Sequence, residues 1–386
     1  MNRGSVRNRL LDRYIGIPIL FAMALLKRKS HPWTELRRIG IMASPGLGDT
    51  LLNSAAIHDL RTHFPDAKII YIVPTTSEAA AQLLPDLDEI VRVCMTKPIL
   101  ALRAIRSCKL DAIIDFTPWP RLTAFYCAAS GAKLKVGFRS PGQYRHWNYD
   151  IIADHSRDCH ELENFRTLLR ALGLNPIAEP VLNLPPPASR SRIGAAQRIV
   201  FHPWASGERA SLREWPEERW VQLARSLKDP ETTIIITGGP ADLDQCTALR
   251  QRMAAAGIEV ELLCGPSDLK TVAATFQTVD LVVSVNTGIM HLAAIIGAPT
   301  ISLNGPTATH RYGPVGPRAA SVEPRGGGGF LHFGFEFDGN PSDTMLQISV
   351  ADVLDAIARV APSLVIHDTA PPEAVTHETE SLTAAK

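Results

Sequence analysis

The chain has 386 residues, 45% of them hydrophobic, enough for two domains that each bury a core. Its 40 Lys and Arg against 39 Asp and Glu exclude the strongly basic footprint of a nucleic-acid binder. Six scattered cysteines with no CxxC pair and no zinc-finger histidine spacing are expected to be buried thiols in a reducing cytoplasm, with no metal site.

The predicted elements begin with an apolar run from Tyr14 to Leu26, preceded by Arg3, Arg7, Arg9 and Arg13 and closed by Lys27, Arg28 and Lys29. The run is too short to span a bilayer, and no small-residue cleavage site follows it. Two readings stand open for residues 1–35: a helix lying on an anionic membrane surface, which the flanking charge favours, or one docked on the protein itself.

From Arg38 onward strand and helix patterns alternate. Apolar runs at Ile39–Ala43, Ile69–Val73, Glu89–Val93 and Ala112–Phe116 read as strands, with helices over Thr50–Phe64, Ile99–Lys109 and Arg121–Ser130 between them. That series is the signature of a parallel sheet covered on both faces, over residues 36–180. A proline-rich segment, 181–197, reads as a linker.

A second doubly wound series covers 198–361. Strands are expected at Ile199–His202, Thr232–Thr237, Glu259–Leu263 and Leu281–Ser284, with helices opening at Trp215-Pro216, over Leu243–Ala256 and over Leu269–Gln277. Trp220, Leu223, Ala224 and Leu227 recur at helical spacing and mark a core face. Residues 318–343, with Gly326 to Gly329, read as an irregular, mobile loop. Ser349 to Asp352 is expected to cap a last helix ending near Val360, and the tail, 362–386, to be disordered.

In open parallel sheets ligands sit beyond the carboxyl ends of the strands, so the loops there carry the chemistry. The first is Ser44-Pro45-Gly46-Leu47-Gly48-Asp49, where Gly46 and Gly48 allow close backbone approach and Asp49 is either a helix cap or an acid beside a ligand. The missing third fingerprint glycine, at Leu51, argues against a nicotinamide dinucleotide. In the second, His202 to Gly207 followed by Arg213-Glu214-Trp215-Pro216, the Ser206 hydroxyl and Arg213 suit a diphosphate before a helix start. In the third, Gly238 and Gly239 make either a turn or a close approach, and Asp242 or Asp244 could hold ribose hydroxyls. The fourth runs from Val285 through Asn286, Thr287 and Gly288 into a helix carrying His291, and leaves free N–H groups for a phosphate.

The ordered set of these four motifs, over most of Ile39 to Pro314, resembles the bacterial heptosyltransferases of glycosyltransferase family nine. The resemblance implies a GT-B fold, that is, an α/β protein of two Rossmann-like, doubly wound parallel-sheet domains facing across a cleft, with no metal and no resident cofactor. It implies transfer, with inversion, of a sugar such as heptose from an ADP-sugar or another nucleotide-sugar to a lipopolysaccharide core or related glycolipid, at the cytoplasmic face of the inner membrane. Asp49 matches the family's catalytic carboxylate, which takes the acceptor hydroxyl's proton. Ser206, Arg213, Thr287, Gly288 and His291 would form the donor-phosphate cradle, Gly238, Gly239 and Asp242 the ribose contact, and Ser267 would lie near the base. Two departures stand out: Arg213 occupies a position usually held by lysine, and Asn286 one commonly acidic, which leaves the donor sugar open. Two alternatives remain: a GT-B sugar-nucleotide epimerase, which wants more acid–base groups in the second half, and a non-catalytic membrane-tethered sugar-nucleotide-binding protein, which would not need Asp49.

Overall fold

The computed structural model describes residues 6–27, 35–187, 197–207, 209–265, 268–326, 330–331, 337–338 and 344–367. Helices α1 (Val6–Tyr14) and α2 (Gly16–Leu25) come first. The N-terminal lobe follows as β1 (Arg38–Met42), α3 (Leu47–His63), β2 (Lys68–Pro74), α4 (Glu78–Ala81), β3 (Glu89–Val93), α5 (Pro98–Ser107), β4 (Ala112–Asp115), α6 (Arg121–Ala129), β5 (Leu134–Arg139), β6 (Ile151–Asp154) and α7 (Glu161–Ala171). Its six strands lie in the order β3-β2-β1-β4-β5-β6, and all are parallel. Ile39, Ile41, Ile69, Tyr71 and Val73 on one face, and Met42, Ile70 and Ile72 on the other, are buried under helices. Strands covered on both sides carry apolar side chains nearly continuously rather than in alternation.

The C-terminal lobe repeats the plan with β7 (Arg198–His202), α8 (Glu217–Ser226), β8 (Thr233–Gly238), α9 (Leu243–Ala255), β9 (Val260–Cys264), α10 (Leu269–Phe276), β10 (Leu281–Val285), α11 (Gly288–Ile296), β11 (Thr300–Leu303), α12 (Thr309–Tyr312) and β12 (Ala319–Val322). A two-strand hairpin, β13 (Phe330–Leu331) and β14 (Phe337–Asp338), precedes α13 (Thr344–Gln347) and α14 (Val350–Val360). The sheet order is β12-β11-β10-β7-β8-β9. Trp220, Leu223, Ala224 and Leu227 are fully buried in its core, as their spacing requires. Ser349 caps α14 by accepting from Asp352 N while Asp352 Oδ2 accepts from Ser349 N, a reciprocal pair that satisfies two otherwise orphaned donors.

In both lobes the strand order reverses beside the first strand, between β1 and β4 and between β7 and β10. The loops after β1, β7 and β10 therefore open at the crevices that such reversals create. The fold places three of the four candidate loops there.

Several expectations need correction. The 318–343 stretch is not wholly irregular, because Ala319–Val322 pairs in parallel with β11 and completes the sheet edge; its small side chains carry little apolar signal. Residues 362–367 are placed, with Leu364 in the core and His367 N donating to Ser226 O, while 368–386 lie outside the described residues. Nor are all cysteines buried thiols: Cys94 is exposed, and Cys246 and Cys264 form a disulfide because α9 packs over the end of β9. The described part of the 181–197 segment is held, with Val181 N donating to Ser54 Oγ and Asn183 N to Leu83 O; Ile177 N and Ala178 N, just before it, donate to Asp59.

The N-terminal helices dock on the N-terminal lobe. Leu20 is wholly buried, and Asn148 Nδ2 donates to its carbonyl at 3.0 Å. Asp12 accepts from Arg121 N at 3.0 Å and from Leu122 N at 3.2 Å, capping α6 from outside, and pairs with the Arg121 guanidinium.

Candidate active site

The catalytic candidate stands in the first turn of α3, whose N-cap is Gly46 in extended conformation. Asp49 is not the cap. Its Oδ2 accepts from Ser44 Oγ at 2.7 Å, so the loop's own serine holds the half-exposed carboxylate near the helix start. Gly46 is required by that arrangement, because a Cβ there would stand 2.8 Å from Asp49 Oδ2.

Helix α11 meets α3 across the boundary between lobes, start to start. A Cβ on Gly48 would stand 2.7 Å from His291 Cδ2, and one on Gly288 would stand 2.5 Å from Leu47 Cδ2 and 2.8 Å from Gly48 N. Two glycines thus let two helix N-termini approach more closely than any side chain permits. Each N-terminus presents unpaired N–H groups and partial positive charge.

Around this junction buried polar atoms lack partners. Thr287, the N-cap of α11, makes no side-chain capping bond, and among the described residues its Oγ1 and His291 Nδ1 are buried without a hydrogen bond. Buried polar groups are ordinarily satisfied, so a group of orphans beside a helix start is the mark of a ligand position. Burial first, then the neighbouring His160, pulls His291 down to about 3, so it is neutral at physiological pH. His160 lies across the boundary with its ring centroid 6.5 Å from that of His291. Its Nδ1 accepts from Leu162 N and its Nε2 donates to Gly313 O at 3.0 Å, which fixes the tautomer.

A buried ion pair holds the lobes together beside these histidines. Arg311 Nη2 donates to Glu161 Oε1 at 2.6 Å, and His155 Nε2 lies 2.9 Å from Glu161 Oε2. Burial raises the Glu161 pKa, but His155 and Arg311 outweigh it and hold the carboxyl below its ordinary range. Ser44, His160, Glu161 and Arg311 were all missed by sequence reasoning. The one signal available was a stretch dense in ionisable residues, Asp158 to Glu163, at the start of an amphipathic helix.

The other candidates divide. Arg213 is buried and donates through Nη2 to the Ser206 carbonyl at 2.6 Å, so it braces the loop after β7 and draws these two residues together. Burial lowers its pKa, with Glu214 opposing. Asn286 is buried, and its Nδ2 donates to Tyr312 O at 2.7 Å. A carboxylate cannot make that bond, which accounts for an amide at a position expected to be acidic. Asp242 turns back to accept from Gly239 N at 2.8 Å and so caps its own turn. Gly238 serves packing, since a Cβ there would meet Cys246 Sγ at 2.7 Å. The paired glycines read as turn and packing residues in this geometry, apart from the α3–α11 junction. Ser267 lies outside the described residues. Among the described residues no group of three or more His, Cys, Asp or Glu side chains gathers as metal ligands would.

Residues 100–325 match the sequence model of glycosyltransferase family 9 (heptosyltransferase). The chain is 24% identical over 277 residues to lipooligosaccharide heptosyltransferase 2 of Campylobacter jejuni, covering 68% of this chain and 78% of that protein. It is 25% identical over 296 residues to lipopolysaccharide heptosyltransferase 1 of Escherichia coli K12, covering 70% and 88%. The solved structure of the E. coli ADP-heptose lps heptosyltransferase II superposes with a TM-score of 0.66 at 17% identity, over 84% of this chain and 99% of that one, which establishes the GT-B fold. The match spans well over half of the sequence and includes most of the α11 site, so the chain belongs to glycosyltransferase family 9 and is a glycosyltransferase.

Proposed function

We propose that the protein transfers heptose, with inversion and without a metal, from ADP-heptose to a lipopolysaccharide-core acceptor on the cytoplasmic face of the inner membrane. The names of the relatives, with their heptosyltransferase and ADP-heptose descriptions, support the substrate pair. One geometric observation carries the chemistry: Asp49 sits in the first turn of α3 where that helix abuts the unsatisfied N-terminus of α11.

In this reading the donor diphosphate lies against the Thr287 hydroxyl and the first N–H groups of α11, which neutralise charge as the nucleotide departs. Arg213, fixed by the Ser206 carbonyl, adds positive charge from the loop after β7. Asp49, oriented by Ser44, accepts the proton of the acceptor hydroxyl as its oxygen attacks the anomeric carbon from the face opposite the leaving group. Because attack and departure occupy opposite faces, the configuration inverts. Asn286 supports the Tyr312 carbonyl and acts as a frame for the pocket.

The test is Asp49→Ala, with donor binding and transfer measured separately. Binding is retained and transfer falls by about 10²-fold or more, as expected for loss of a general base. Equal transfer by the variant and the parent protein refutes the assignment. Transfer also persists in excess chelator; its loss there refutes the metal-independent route.

A further inference from the structure

The docked N-terminal helices are apolar on their outer face as well as where they meet the protein. Their ladder continues across the junction, with Ile15 N bonded to Leu11 O and Ile19 N to Ile15 O, so α1 and α2 run on as one helix through Ile15. Pro18 has no N–H to offer the Tyr14 carbonyl, which leaves the ladder one bond short at that junction. The face turned to the protein carries Asp12, Gly16 and Leu20, with Ile17, Met23 and Ala24 partly buried, and it combines the apolar contact of Leu20 with polar ones: the cap on α6, the bond from Asn148 and, just past α2, the Lys27 pair with Asp150.

Leu11, Tyr14, Ile15, Ile19, Leu25 and Leu26 point outward, between 40% and 82% exposed. At 3.6 residues per turn they occupy one arc of about 140°, in which Arg7, near the start of α1, is the one charged position of the two helices. A helix that only docked would be polar outward. Phe21, 53% exposed, extends the patch by edge-to-face contact with Trp147, whose ring also stacks near the exposed Tyr144. Aromatic side chains at the margin of an apolar surface suit the interfacial zone of a bilayer.

Charge selects the occupant. Residues 1–29 hold seven basic residues and one acid, Asp12, which is engaged with Arg121, whereas the remainder of the chain carries more acids than bases. No described helix is long and apolar enough to cross a membrane. We infer that this outward face inserts shallowly into an anionic lipid leaflet, and that it seats the N-terminal lobe's loop Thr117–Pro120 at the lipid surface, because Asp12 caps the helix that this loop enters. This inference rests on the proposed glycolipid acceptor.

The experiment compares the full chain with Ile15→Glu/Leu25→Glu, both at exposed positions remote from the site, for co-sedimentation with vesicles and for transfer. The parent protein sediments with phosphatidylcholine–phosphatidylglycerol vesicles at least tenfold more than with phosphatidylcholine alone, and the double variant loses that binding. Transfer to a deacylated, soluble acceptor is equal in both proteins, while transfer to vesicle-embedded acceptor falls at least tenfold in the variant. Undiminished vesicle binding by the variant, or no binding by the parent, overturns the inference. So does a parent dimer that the variant converts to monomer, since a second copy would then cover the face. If neither protein transfers to the soluble acceptor while the binding difference stands, the proposed reaction fails and the membrane inference does not.

Discussion

Replacing Gly288 by alanine tests whether the start-to-start contact of α3 and α11 matters for catalysis. Gly288 does not occupy the left-handed region, so alanine suits its backbone, and at this first position of α11 the propensity gain over glycine is below the about 1 kcal/mol of a helix interior. The obstacle is across the boundary: the new Cβ would stand 2.5 Å from Leu47 Cδ2, 2.7 Å from Leu47 Cβ and 2.8 Å from Gly48 N. A leucine tip can rotate away, but a Cβ and a backbone nitrogen cannot, so α3 must retreat by about 1 Å to restore ordinary contact. Asp49 rides on that turn. A displacement of about 1 Å between reacting groups lowers rates on the order of 10²-fold, whereas the overpacking itself costs about 1–3 kcal/mol, partly offset by helix propensity. Steady-state transfer should therefore fall between tenfold and a hundredfold while the thermal midpoint moves by a few degrees. Transfer at the parent rate would show that the two helix starts do not set the position of the reacting carboxylate.

Acid destabilisation should come in part from the buried histidines. His202 is drawn down to about 4 and His291 to about 3, chiefly by burial, so the unfolded chain takes up protons first as pH falls below about 6.5. Their contribution is full above that pH and is lost as pH falls to about 4 for His202 and about 3 for His291, by about 1.4 kcal/mol per unit for each histidine; denaturant melts of His202→Asn should show a shallower dependence of stability on pH, and an unchanged dependence would contradict the assignment. Glu161→Gln leaves Arg311 buried without its counter-charge and should destabilise the protein by about 3 kcal/mol, read as a lower denaturant midpoint; a shift below about 1 kcal/mol would mean the pair is dispensable.

Much of the architecture was legible because doubly wound sheets write it plainly. Glu89–Val93 and the core face of Trp220, Leu223, Ala224 and Leu227 follow directly from periodicity. β5 and β6 were missed because Leu134–Arg139 mixes Lys, Gly and Arg with its apolar residues and Ile151–Asp154 is a four-residue edge strand. The loops bearing the candidate residues were legible as loops, but partners within them were not. Nothing in the spacing of Gly239 and Asp242 says that the carboxylate caps its own turn rather than reaching a ligand. Asn286 likewise looked like a lost charge until Tyr312, twenty-six residues on, supplied the carbonyl it serves. The outward apolar arc of the first helices was hidden for a related reason: periodicity reveals a stripe, and only tertiary contacts tell which way it faces.

Two helix starts pressed together concentrate like partial charges in one seam, and that seam is repulsive until something anionic occupies it. Asp49 supplies one negative charge; a nucleotide diphosphate would supply more. The hold between the lobes should then be under the control of the cargo, strengthening as the charged donor enters and weakening when the spent nucleotide leaves. The same electrostatics that stabilise the leaving group would in this way also time its escape.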